Sequence, residues 1–88
     1  MTTYLLEAYV PRSDVRRLSE LDAAAREAAA TLQRCGRPVR LMRSIYLPCD
    51  ETCFLLVETM ERNAAEELAG RLELAVVRLA EVLTVPQT

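Results

Sequence analysis

The chain opens on a short apolar run, Tyr4 to Val10, interrupted by Glu7 and closed by Pro11. Aromatic, aliphatic and β-branched residues bounded by a proline predict a strand. The period then changes. Apolar residues recur at Val15, Leu18, Ala25, Ala28, Ala29 and Leu32, with Leu21 or Asp22 at the intervening step. This spacing predicts an amphipathic helix over 13–35. Ser13 is its expected N-cap, and Asp14 suits the positive end of the helix. Gly36 fits the position just past the helix, and Pro38 prevents continuation.

Val39 to Leu47 predicts a second strand and Thr52 to Thr59 a third, joined by a turn at Pro48-Cys49-Asp50-Glu51. A second helix is predicted over 61–72, with Ala64, Ala65, Leu68, Ala69 and Leu72 on its apolar face. The aliphatic segment 76–85 suits a last strand, and Pro86-Gln87-Thr88 a frayed end. The order β-α-β-β-α-β in 88 residues predicts one α+β domain over 1–88. Right-handed crossovers would give a ferredoxin-like fold, a four-stranded antiparallel sheet with both helices on one face.

If Leu47 pairs with Thr52, alternation sorts the hairpin into two faces. Met42, Ser44, Tyr46, Cys53, Leu55 and Val57 share one. Leu41, Arg43, Ile45, Leu47, Thr52, Phe54, Leu56 and Glu58 share the other. Both are largely apolar, and helices cover only one. A face holding Leu41, Ile45, Phe54 and Leu56 is a large patch for a monomer to leave wet. Stacking two such sheets about a two-fold axis, a dimeric α/β barrel-type assembly, would bury it. A homodimer through the helix-free face is therefore expected.

Composition narrows the function classes. Apolar residues make up 51% of the chain, more than so small a core needs, which agrees with a partner covering some of them. The formal net charge is -2, so no basic footprint for nucleic acid is present. No apolar stretch reaches membrane-spanning length, and the start has no charged segment followed by an apolar run. A cytoplasmic location is expected, with the three cysteines as free thiols or ligands. There is no histidine. This excludes imidazole acid–base catalysis, Ser-His and Cys-His nucleophiles and histidine metal sites. All the basic residues are arginines, and no phosphate-binding glycine motif occurs. No residue stands out as catalytic.

Candidate binding residues are the charges that interrupt apolar strands: Glu7, Arg43, Glu58 and Glu81. A carboxylate on a sheet face needs water, a cation or a donor, because burying it unpaired costs several kcal/mol. Arg43 lies diagonal to Glu58 in the assumed register, within ion-pair reach. These residues read either as structural ion pairs or as a polar pocket between paired sheets. Tyr9, with Tyr4 and Tyr46, could line such a pocket or an interface. Cys49 and Cys53 form a C-x3-C spacing across the turn. With carboxylates such as Glu7 and Glu58, they could bind nickel or zinc. Alternation also lets Cys53 pack as a small hydrophobe, while Cys35 sits at a helix end that disfavours its thiolate.

Residues 43–58, RSIYLPCDETCFLLVE, resemble the central signature of the DUF4242 family of small nickel-binding-like proteins, most specifically at Asp50 to Phe54. The first strand, with Glu7, and the last strand resemble the family's ends. The resemblance implies a dimeric ferredoxin-like fold and, for some members, nickel binding. Without histidine, the positions that could carry a metal here are Glu7, Cys53 and Glu58, with Cys49 as an added thiol. The expected function is a small homodimeric binding protein for a divalent metal or a small ligand. The alternatives are an accessory domain without a ligand and a small dimeric enzyme.

Overall fold

The computed structural model describes residues 1–72, 76–83 and 85. The first strand, β1, spans Thr2–Tyr9 and begins two residues before the apolar run. Its alternation is regular: Tyr4, Leu6 and Ala8 are buried, and Leu5 and Glu7 between them are only partly covered. β1 runs antiparallel to β3, Thr52–Thr59, and to β4, Val76–Val82. β3 also pairs with β2, Val39–Leu47. The sheet order is β2-β3-β1-β4, and the two helices are α1, Leu18–Arg34, and α2, Arg62–Arg71. This is the expected α+β arrangement and is compatible with a ferredoxin-like fold.

The core lies between one sheet face and the helices. Leu6, Val39, Leu41, Leu55 and Val57 of the sheet pack against Ala25, Ala29 and Leu32 of α1 and Ala64, Ala65 and Leu68 of α2. Four alanines on the inner helix faces bring the helix backbones close to the strands. Each fully buried leucine or valine contributes roughly 1.5–3 kcal/mol relative to exposure.

The first helix starts later than its period suggests. Arg12–Arg17 form a 3-10 segment in which Asp14 leaves helical geometry at φ -104°, and α1 begins at Leu18. Ser13 makes no capping bond, and Val15 is exposed, not part of the apolar face. The reason is long-range. The Arg12 N–H donates to Glu51 Oε2 at 2.9 Å, and its Nε donates to the Pro48 carbonyl at 3.0 Å. These contacts hold the segment against the β2–β3 connection. The helix end is as expected: Gly36 takes φ 81°, Gly36 N–H donates to the Gln33 carbonyl, and Arg37 N–H donates to that of Leu32. Both bonds together form a Schellman motif.

The hairpin register holds at its tip, where Leu47 faces Thr52, but changes at a bulge between Leu41 and Arg43. Leu41 therefore pairs with Val57 and points into the core, 4% exposed, while Met42 is 40% exposed. This reverses the expected faces of Leu41 and Met42. The helix-free face keeps Ile45, Leu47, Phe54 and Leu56 and gains Leu5 from β1, but loses Leu41. Past β4, Leu83 and Val85 are exposed, and the end expected to fray, Pro86–Thr88, lies outside the described residues.

Candidate functional site

On the helix-free face the register sets side chains in rows across the sheet. One row runs Arg78, Glu7, Phe54, Ile45; the next runs Ala80, Leu5, Leu56, Arg43; a third runs Val82, Thr3, Glu58, Arg40. The arginines stand on the edge strands β2 and β4, and Glu7 and Glu58 stand on the central strands among Leu5, Phe54 and Leu56. Arg40 donates to Glu58 Oε1 at 2.8 Å, so the ion pair is made by the residue directly opposite. Arg43 keeps its expected place opposite Leu56 and diagonal to Glu58, but the bulge sets Arg40 directly opposite Glu58, and among the described residues the ion pair is made with Arg40 and not with Arg43.

Glu7, Arg43 and Glu58 thus share one face, with Tyr9 at its edge. Glu81 does not join them: it lies opposite Tyr4, whose side chain is in the core, and so belongs to the other face, where it is exposed. The proposed thiol–carboxylate set is also divided. Cys53 is 2% exposed among core side chains, whereas Glu7 and Glu58 project from the opposite side of the sheet. Cys49 sits in the exposed 3-10 turn Pro48–Asp50. Among the described residues no three histidine, cysteine, aspartate or glutamate side chains group to hold an ion. Burial pushes the Cys53 thiol up, and the nearby charge of Asp22 adds to it, so this sulfur is held as a neutral thiol.

A cleft lies elsewhere, at the end of the sheet where β1 leaves it. It encloses about 340 Å3 between the β1 exit, the start of α1 and the end of α2. Val10, Leu21 and Leu72 are among its apolar walls, and Tyr9, Arg17 and Arg71 supply polar groups. Glu7, Arg43, Glu58 and Glu81 do not line it; of the candidate binding residues read from the sequence, Tyr9 alone does. Arg17, from the 3-10 segment, and Arg71, from the end of α2, carry no motif and line the cleft from segments far apart in sequence, so periodicity could not associate them. A smaller hollow of about 230 Å3 holds Arg40 and Glu58 with Met1, Gln33, Pro38 and Val39.

The fold and these surfaces define a small α+β domain with one covered and one uncovered sheet face and a cleft at one end. Compared with family models, with curated proteins and with solved structures, the chain matches none.

Proposed function

We propose that the chain is a small homodimeric binding protein whose helix-free sheet face is its self-association surface, in a stacked, barrel-type assembly of the kind the DUF4242 resemblance implies. The observation that carries this reading is the apolar centre of that face: Leu5, Ile45, Phe54 and Leu56, with Leu47, Ala80 and Val82 around them. Four strands about 4.8 Å apart and about eight residues long present a projected area of about 500 Å2. With its corrugation, this approaches the ~800 Å2 that each partner buries in a standard interface. Arg40, Arg43 and Arg78 stand on the two edge strands, at the rim where an interface tolerates charge, and Glu7 on the central strand β1 lies opposite Arg78. Metal binding is not part of the proposal, because Cys53 is separated from the carboxylates by the sheet.

Sedimentation equilibrium on the tag-free protein at micromolar concentration tests the reading. The wild type is expected at about twice the 9.9 kDa chain mass. Leu56→Arg, which changes only the helix-free face, is expected to be monomeric with an unchanged circular dichroism spectrum. A monomeric wild type at 100-fold higher concentration would overturn the proposal.

A further inference from the structure

We infer that the cleft at the β1 exit is a binding site for a small organic monocarboxylate with an apolar body. Its size, about 340 Å3, lies in the range of sites for small molecules. Its walls offer apolar contact from Val10, Leu21, Ala24 and Leu72. Arg17 reaches it from the start of α1 and Arg71 from the last turn of α2.

Both arginines keep donors in hand. Arg17 stands 3.9 Å from Asp14, and Arg71 stands 3.8 Å from Glu67. The directly bonded pairs of this protein are shorter, 2.9 Å for Arg26 with Asp22 and 2.8 Å for Arg40 with Glu58. Among the described residues, no side-chain hydrogen bond is made by Arg17, Arg71 or Tyr9, while six other arginines make them. A guanidinium is donor-only and matches a carboxylate with two parallel bonds. Glu67 is bonded to Arg37, and Asp14 stands too far from Arg17 for a direct bond, so an incoming carboxylate can gain bonds that neither acid takes.

The remaining charges set the class. Asp14 and Glu20 also line the cleft and balance the two arginines. A dianion such as phosphate costs more to take from water than a singly charged acid, and a cleft whose charges cancel offers no net attraction to offset that cost. The apolar walls then select an acid with a hydrocarbon body over a small hydrophilic one. The inference does not depend on self-association, since every lining residue comes from one chain and the cleft lies at the sheet end.

Titration of 15N-labelled protein with 3-phenylpropanoate, 3-phenylpropanamide and inorganic phosphate, followed by NMR, tests it. The acid is expected to give saturable shifts confined to the cleft, with the amide binding at least about tenfold more weakly, a difference of about 1.4 kcal/mol. Phosphate is expected to give none. Arg71→Gln is expected to weaken the acid about fivefold or more and leave the amide unchanged. Ala24→Trp, which fills the cleft, is expected to abolish both. Equal binding of acid and amide, no saturation by the acid, acid binding that survives Ala24→Trp, or phosphate shifts in the cleft would each overturn the assignment.

Discussion

The Ser44 hydroxyl on β2 donates to Asp22 Oδ1 on α1 at 2.5 Å, and Arg26 Nε donates to Asp22 Oδ2 at 2.9 Å. Arg26 also reaches the Leu41 carbonyl at 3.3 Å, at the edge of the bulge. A polar residue at an apolar-spaced position of the helix thereby ties α1 to the irregular part of β2. The bond from Ser44, and secondly that from Arg26, hold the Asp22 carboxyl below the ordinary carboxylate value. Asp22→Asn keeps the shape but loses the charge-assisted bonds, and a loss of about 1 kcal/mol is expected in urea unfolding, small because the pair is partly solvated.

The same carboxylate sets a pH dependence. A group whose folded-state value is depressed stabilises the fold fully above its unfolded value, here the ordinary 3.8, and ceases to do so as pH falls through the lowered folded value. Wild-type stability is therefore expected to fall faster than that of Asp22→Asn between about pH 4 and pH 2. Parallel acid limbs for the two proteins, in thermal melts across that range, would refute the assignment.

Thr59 closes β3 with no exposed surface. Its hydroxyl donates to the Pro38 carbonyl at 2.7 Å and accepts from Glu61 N–H at 3.3 Å. It thus joins the loop before β2 to the start of α2. Thr59→Val preserves volume but leaves both backbone groups without this partner. A loss of about 1–3 kcal/mol is expected, and Thr59→Ser should recover most of it. Chemical denaturation of the three proteins checks both statements.

Element order was legible because each segment carries its own period, and the Gly36 helix stop because a left-handed residue there calls for glycine. The face of each β3 residue was legible too, since Cys53 and Glu58 differ in parity along one strand. The metal set expected from the sequence, which joined Cys53 to Glu7 and Glu58, ran against that parity. The bulge was not legible: Leu41 and Met42 are both apolar, so neither choice of face is marked. Nor was the late start of α1, because Ser13-Asp14 reads locally as a cap while the deciding bonds come from Pro48 and Glu51. The cleft was not legible for the same reason, being assembled from three separate segments.

The thiols should separate by reactivity. Cys35 and Cys49 are exposed, and Cys53 is buried with its ionisation disfavoured. Titration with an aromatic disulfide reagent at pH 8 is expected to modify two thiols rapidly in the native protein and the third only after unfolding. Cys53→Ala is expected to leave the fast phase intact, and Cys49→Ala to halve it. A rapid third equivalent in the native protein would show that Cys53 is not enclosed as described.

The bulge makes the sharpest contrast between neighbouring apolar positions. Strict alternation would place Leu41 and Ile45 on one face of β2. The register change instead sends Leu41 into the core, while Ile45 stays on the helix-free face, 39% exposed. Truncating Leu41 leaves a cavity between the sheet and the helices, and Leu41→Ala is expected to cost about 2–5 kcal/mol. Ile45→Ala removes surface from the uncovered face. In the protein diluted well below its association range, its cost is expected to be less than about 1 kcal/mol. At higher concentration, Ile45→Ala should weaken self-association, whereas Leu41→Ala should act on folding alone. Equilibrium unfolding at two protein concentrations separates these effects. Equal losses for the two variants at low concentration would mean that the bulge does not turn Leu41 inward.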